Sequence, residues 1–445
     1  MMFNLDEILK ATGAELIKNS SGKDNYIIST DTRTIKQGEL YLPLKGASFD
    51  GEKFLQNAVE AGACGCFITG DDCPENAQLV LRVSDTLEAY LKLANYARRA
   101  HNPKVVAITG SSGKTTTKEL VYSVVSKKFK SHKTFSNHNN EIGFCQTVLS
   151  MLDDCEVLII EMGMRGAGEI ELLSRYAQPD YAIITNAGSA HIGRLGSLDN
   201  IAKAKAEIAL HLKEDGTFIS QNNERIKNFV KFGGEKIFYS LEDTKILERR
   251  PSYAKFIYQD REYELNVDGD YNVENSLAAI NLGYKLGMTY EEIKCGLAAY
   301  RPIEKRWEVI DVNGYKIIND SYNANPESMK ASVSTFVQLY ENPVVILGNM
   351  GELGDYENEL HYGVGEYLSK ISPKNVRYLT VGHLAKQISL PLEKEGFFVK
   401  NFENNTEVSK FVLANINAGN TIFLKASRSM KFEEIIEQIK GEVKI

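Results

Sequence analysis

The chain has 445 residues, 43% hydrophobic, 25% charged and 9% aromatic, a length and composition that call for two or three packed cores rather than one. Its 52 Lys and Arg against 59 Asp and Glu give a formal charge of −7, which excludes bulk attraction to nucleic acid or an anionic membrane and makes any phosphate binding a local matter. No apolar run approaches the roughly 18 residues of a membrane helix, MMFNLDEILK does not read as a signal peptide, and six cysteines without partners at metal-site spacing favour reduced thiols in a cytoplasmic protein.

In chain order, GELYLPL reads as a short β-rich piece, EKFLQNAVEAGA as a helix, and DTLEAYLKLANYARRAH as a second helix ending at Asn102 and Pro103. A first domain is therefore expected over residues 1–102. From Lys104 the pattern becomes short continuous apolar runs, KVVAIT, EVLIIEM and YAIITN, with the β-branched content of buried parallel strands. Helical stretches such as TTTKELVYSVVSKKF lie between them, the alternation of an open α/β sheet. AAYRPIEKR follows a helical pattern and contains a proline, so a central domain is expected over 103–304. A third α/β domain, 305–445, carries the runs NPVVILG, VRYLTVG and TIFLKAS. The fold class expected is α/β throughout, with a mostly parallel sheet in the central domain.

The sharpest local signal is KVVAITGSSGKTTTKEL. A strand ends at Thr109, and Gly110, Ser111, Ser112, Gly113, Lys114, Thr115 and Thr116 then open a helix. Glycines let successive N–H groups converge on phosphate oxygens at the helix N-terminus. Lys114 would neutralise phosphate charge and the Thr115 hydroxyl would hold Mg²⁺. Only two residues separate Gly110 from Gly113, where the common phosphate loop has four before its Gly-Lys pair. Glu161, ending the run EVLIIE, is the expected acidic partner at the carboxyl end of a neighbouring strand.

These residues, together with EMGMRGAGEI, ITNAGSAHIGRLGSLDNIAKAKAEI, NDSYNANPESMKAS, STDTRTIKQGELYLPLKGASFDG and KASRSM, resemble the Mur ligases along nearly the whole chain. The resemblance implies a small UDP-binding domain, a central ATPase and a C-terminal dinucleotide-fold-like domain. It implies an ATP-dependent amide ligase of peptidoglycan precursor synthesis that works through an acyl phosphate. Within the family, the N-terminal segment and NDSYNANP point to addition of D-alanyl-D-alanine to a UDP-N-acetylmuramoyl tripeptide. ATP and two Mg²⁺ ions are the implied cofactors, and a monomer in the cytoplasm is expected.

By the same resemblance, Thr115, Glu161, His191 and Lys205 hold metal, with Lys205 carried as a carbamate. Arg306 reaches ATP phosphates, Asn272 and Asn275 contact adenine, and Asp320 accepts from the ribose. Tyr322, Asn323 and Asn325 line the dipeptide site. Thr32, Arg33, Lys45, Gly46 and Asp50 serve the UDP-sugar, and Asn137, Asn139 and Asn140 the sugar or peptide. Tyr271 stands where the family often has His, and Ala426 where KASRSM would have Gly. His361 matches a further family position for which the residues alone suggest no role. A folylpolyglutamate synthase, or a non-catalytic nucleotide-binding relative, is the competing reading. The latter would be expected to lack one of Lys114, Glu161, His191 or Lys205.

Overall fold

A computed structural model describes residues 1–46, 49–303 and 305–441. Glu304, where the central domain was expected to end, lies outside the described residues, as do Ala47 and Ser48 of the KGASFDG segment.

Three α/β layers follow one another along the chain. The first holds a five-stranded sheet in the order Glu15–Asn19, Leu79–Arg82, Gly65–Ile68, Leu40–Tyr41, Ile28–Ser29, parallel except at the Glu15–Asn19 edge. Its side chains alternate as the pleat requires. Leu40, Phe67, Leu79 and Leu81 face the large central core, and Tyr41, Cys66, Ile68 and Val80 pack with Leu55 and Ala58 on the other side. The helix Thr86–His101 starts on an Asp85 cap and stops at Asn102, whose φ of 48° is left-handed. That helix packs against Glu141–Leu149 and Glu169–Ala177 of the following unit. Asn95 donates to the Tyr176 carbonyl at 2.6 Å and Arg98 to Gln178 Oε1 at 2.5 Å.

The central sheet has six strands, all parallel, in the order Glu235–Tyr239, Thr217–Gln221, Tyr181–Ile184, Lys104–Thr109, Val157–Glu161, Ser131–Lys133. The run KVVAIT thus lies in the interior, and the chain leaves it first to one side and then to the other. This is the switch point at which open α/β sheets bind ligands beyond their strand ends. A three-stranded antiparallel sheet, Thr244–Arg250, Tyr253–Tyr258 and Arg261–Leu265, is appended before the helix Asp270–Lys285. The sequence reading anticipated no such sheet.

The last unit is again six-stranded, in the order Glu308–Val312, Tyr315–Asn319, Thr421–Lys425, Pro343–Gly348, Arg377–Val381, Phe398–Phe402, with only the first strand antiparallel. Ile318, Val345, Leu347 and Phe423 join the cluster that includes Trp307 and the central core, while Ile317, Val344, Ile346, Ile422 and Leu424 face a core of their own. The junction is itself anchored. Asp268, 1% exposed, accepts from Trp307 Nε1 at 2.5 Å, Tyr340 OH at 3.2 Å and Ser252 N–H at 2.8 Å.

Candidate active site

At the end of strand Lys104–Thr109 the backbone turns through Gly110, φ 157°, and Gly113, φ 76°. A Cβ on Gly110 would lie 1.8 Å from Thr185 Oγ1, and one on Gly113 would lie 2.6 Å from Asn275 Oδ1, so both positions require glycine. The loop is stapled by the neighbouring strand end. Asn186 Oδ1 accepts from Ser112 N–H at 3.0 Å, Thr185 Oγ1 donates to the Ser112 carbonyl at 2.6 Å, and Ser111 Oγ donates to the Gly188 carbonyl at 2.9 Å. Lys114 opens the helix Lys114–Val125 and donates to the Gly110 carbonyl at 2.8 Å. Its ammonium is enclosed, and burial pushes its pKa down against the opposing pull of Glu161.

Beside the loop sits Glu161, 2% exposed. Its Oε1 accepts from Thr115 Oγ1 at 3.2 Å and from Asn139 Nδ2 at 2.9 Å. Its Oε2 is buried without a hydrogen bond and lies 3.6 Å from Lys118 Nζ. Lys118 is itself fully buried and donates to the carbonyls of Thr134 and Ser136, each at 2.9 Å. The sequence reading missed this lysine, although its place one turn after Lys114 on the same helix was a usable signal.

Thr115 and Glu161 suit a small hard cation. A hydroxyl and a carboxylate supply oxygens, and Mg²⁺ ordinarily completes its shell with waters and substrate phosphates. Among the described residues there is no group of three or more His, Cys, Asp or Glu able to hold a metal alone. Arg306 Nη2 donates to Thr115 Oγ1 at 2.9 Å, so a guanidinium supplies the positive charge at this point, and it stacks 4.0 Å from the Tyr322 ring centre.

His191, φ 67°, lies on the loop after strand Tyr181–Ile184. Its Nδ1 is 2.6 Å from Glu352 Oε2, turned off the ideal hydrogen-bond line. Because rotation about an imidazole χ2 is soft, the separation decides the pairing. His191 also holds the Glu352 carboxyl below its ordinary pKa. Lys205 is 1% exposed on the helix Leu198–Ala206 while Lys203 is exposed. Burial, and then the Lys114 charge, push the Lys205 pKa well below the usual lysine value. No hydrogen-bond partner faces Lys205 Nζ among the described residues.

A cleft of about 1100 Å³ joins most of these groups, while Lys118 and Lys205 are buried and are not among its lining. It is lined by Ser111 to Thr116, Asn137, Asn139, Asn140, Glu161, His191, Asn275, Arg306, Asp320, Tyr322, Asn323 and Asn325, with Glu274, Glu327, Glu352 and Arg428 added. Asp320 is held by Lys425 Nζ at 2.5 Å and Ser332 Oγ at 2.8 Å. Asn325 and Asn140 spend their side chains capping the helices Pro326–Leu339 and Glu141–Leu149. Asn272 does not line the cleft; its amide donates to the Asp268 carbonyl at 2.6 Å, which separates it from Asn275 despite their shared helix. Asn139, expected at the sugar or peptide, lines the cleft and donates its amide to Glu161.

Thr32, Arg33, Lys45, Gly46 and Asp50 lie away from this cleft on the first unit. Arg33 is paired with Asp31 at 2.6 Å, which holds that carboxyl at about 2. Lys45 is 3.4 Å from Asp50, and Asp50 caps the turn Gly51–Phe54. His361, fully buried, accepts from Met350 N–H at 2.8 Å through Nε2, and its Nδ1 faces the Glu357 carbonyl at 2.6 Å. Ala426 is buried against Gly348, where a Cβ would meet it at 2.6 Å. The six cysteines are free thiols.

Residues 108–283 match the Mur ligase middle domain and residues 305–428 the Mur ligase glutamate ligase domain. A relative in Bacillus subtilis, a UDP-N-acetylmuramoyl-tripeptide–D-alanyl-D-alanine ligase, is 37% identical over 96% of this chain and 97% of its own. The chain belongs to the Mur ligase family. Another member with that name, in Escherichia coli, is 31% identical over 93% of both chains. Among solved structures, MurF from Acinetobacter baumannii superposes with a TM-score of 0.89 at 28% identity over 99% of each chain. MurF ligase from Thermotoga maritima in complex with ADP gives 0.83 at 25% identity, covering 94% of this chain and 97% of that one. Folylpolyglutamate synthase from Mycobacterium tuberculosis shares the fold at a TM-score of 0.59 and 15% identity, but covers only 80% of this chain. Mur ligases are therefore the branch whose members match from end to end, and the chain is an ATP-dependent ligase of that family.

Proposed function

We propose that this protein joins D-alanyl-D-alanine to a UDP-N-acetylmuramoyl tripeptide at the expense of ATP, giving the pentapeptide precursor of peptidoglycan with ADP and phosphate. The observation that carries the reading is 37% identity along almost the full length of a ligase of that name. An intact cleft in which Lys114, Thr115, Glu161, His191 and Arg306 converge supports it.

The chemical difficulty is to bring a carboxylate up to a triphosphate, two anions, and then to admit an amine. The loop N–H groups from Gly110 to Thr116 receive the phosphates, and Lys114 Nζ exchanges its bond to the Gly110 carbonyl for phosphate oxygen. Arg306 bears charge toward the γ-phosphoryl from the opposite wall. Mg²⁺ held at Thr115 and Glu161, with a second ion near His191, would spread the charge of the transferring group. Transfer of the γ-phosphoryl to the peptide carboxylate gives an acyl phosphate. The D-alanyl-D-alanine amine then attacks the acyl carbon and phosphate leaves. Asp320 receives the ribose and Asn275 the adenine, while Tyr322, Asn323 and Asn325 bound the space left for the dipeptide.

Lys205 suits carbamylation. Only a neutral amine attacks CO₂, and burial pushes the Lys205 pKa well below the usual lysine value, which favours that form more than at an exposed lysine. The carbamate is an anion beside Lys114, so the modification turns a buried amine into a metal-compatible carboxylate. The UDP-sugar is assigned to the first unit, residues 1–102, with the centre over 103–304 and the closing unit over 305–445. No helix among the described residues is long and apolar enough to cross a membrane.

The test is phosphate release by the purified protein with ATP, Mg²⁺ and the UDP-linked tripeptide, with and without D-alanyl-D-alanine, with products weighed by mass spectrometry. Tripeptides ending in diaminopimelate and in lysine are run in parallel. Release that needs both substrates and yields pentapeptide supports the reading; release indifferent to D-alanyl-D-alanine overturns it.

A further inference from the structure

His361 leads to a second histidine. On the inward face of the helix Glu357–Ile371 its Nδ1–H donates to the Glu357 carbonyl and its Nε2 accepts from Met350 N–H, which leaves no freedom in the ring. The segment tied down in this way, Met350 to Gly354, is what the C-terminal unit presents to the central loop Ser189 to Gly196. The two backbones touch. A Cβ on Gly193 would lie 2.5 Å from Gly354 N, and one on Gly354 would lie 2.8 Å from Gly193 Cα. Gly193 N–H donates to the Glu352 carbonyl at 3.2 Å, and Tyr356 OH to the Gly196 carbonyl at 3.3 Å. A second carboxylate from the same unit, Glu327, accepts from Ser189 N–H at 3.0 Å and Ser189 Oγ at 2.9 Å.

Within this contact Glu352 Oε2 stands 2.6 Å from His191 Nδ1. We propose that Glu352 is a positioning residue for His191: the C-terminal domain supplies the carboxylate that keeps Nδ1 protonated and turns Nε2 toward the cleft as the nitrogen open to a metal. A carboxylate behind a ligating histidine fixes its tautomer and raises its basicity. Here the carboxylate comes from another domain, so the histidine is a competent ligand only when the two domains are docked. Metal affinity and docking are then linked, and each strengthens the other by the same factor. The inference rests on the reading of His191 as a metal ligand.

Mn²⁺ titration in the presence of ADP, followed by electron paramagnetic resonance, tests both. The variants are Glu352→Ala, Glu352→Gln and His191→Asn, each compared with the wild-type chain. In parallel, ¹⁵N spectra of the imidazoles report the tautomer of His191, assigned by its loss in His191→Asn. Glu352→Ala should raise the half-saturating Mn²⁺ concentration about tenfold and release the Nδ1-protonated tautomer. Glu352→Gln, whose amide oxygen still accepts, should restore most of both. A loop with a merely structural role would not move the tautomer. If His191→Asn weakens Mn²⁺ binding and Glu352→Ala does not, the positioning role is wrong while the ligand reading stands. If His191→Asn leaves Mn²⁺ binding unchanged, the ligand reading fails and the proposal with it.

Discussion

Replacing Asp268 by Ala should loosen the junction between the central and C-terminal units. The wild-type carboxylate is 1% exposed and takes three donors, Trp307 Nε1, Tyr340 OH and Ser252 N–H. Each buried donor left without a partner costs about 1–3 kcal/mol. Loss of the buried charge, which burial makes unfavourable, offsets part of this. A net loss of about 3 kcal/mol corresponds to a drop in Tm of roughly 6–12 °C for a unit of this size. Trp307 is the only tryptophan in the chain, so its fluorescence reports melting at the junction itself. It also follows Arg306 directly, and a slackened Trp307 lets the guanidinium drift from Thr115. Misplacement of about 1 Å can cost about 10²-fold in rate, so kcat should fall between tenfold and that figure.

The pH dependence has a definite sign. Burial raises the Asp268 pKa above 3.8, so its protonation stabilises the folded chain at low pH, and that contribution is lost as pH rises through the folded value. Asp268→Asn keeps an acceptor for the side-chain donors without the charge. Its deficit relative to wild type should therefore shrink between pH 4 and pH 7. An unchanged Tm in Asp268→Ala, or a deficit in Asp268→Asn that grows with pH, would refute the reasoning.

Lys114→Met should lower kcat/KM for ATP by about 10³-fold with little change in Tm; steady-state kinetics retaining a tenth of the activity would remove Lys114 from the phosphates. In Gly193→Ala the new Cβ would lie 2.5 Å from Gly354 N, so the domain contact must open. Small-angle scattering should show a larger radius of gyration with ADP bound, and kcat should fall while ADP affinity, measured by calorimetry, holds within about twofold. Burial holds the His361 pKa below 6.5, so its contribution to stability is present above that value and lost as pH falls below it. Wild-type Tm should thus fall more between pH 7 and pH 5 than that of His361→Gln. Parallel slopes would show that His361 does not titrate in this range.

Much of the central sheet was legible because parallel strands buried on both faces must be short continuous apolar runs, and KVVAIT, EVLIIEM and YAIITN contain the strands Lys104–Thr109, Val157–Glu161 and Tyr181–Ile184. The antiparallel sheet from Thr244 to Leu265 was overlooked. Its period-2 pattern in YAKFIY is brief, and its turn at Gln259 and Asp260, φ 49° and 58°, uses residues other than the Asn-Gly or Asp-Gly that mark a tight hairpin. At the site, Lys114, Thr115 and Glu161 could be found because chemistry and local structure coincide there. Asp268, Glu327 and Glu352 could not. Each takes its meaning from a partner far along the chain, such as Ser189 for Glu327, and nothing local in a sequence encodes that pairing. Asn272 shows the opposite case, local spacing without a place in the cleft. It has helical spacing to Asn275, but as the third residue of its helix it turns its amide back on Asp268.

The helix Thr86–His101 has a consequence for how the protein distinguishes its acceptors. Because it packs on Glu141–Leu149 and Glu169–Ala177 and is bonded to Tyr176 and Gln178, it ties the first unit and the unit carrying the phosphate loop into one frame. On the proposed assignment of the UDP-sugar to the first unit, the nucleotide-sugar would be measured against that frame as against a ruler. The peptide it carries either reaches the transferring phosphoryl group or falls short. On that assignment, discrimination between acceptors of different length would need no side chain that recognises the missing residue, and the C-terminal unit would be left free to select the incoming amine.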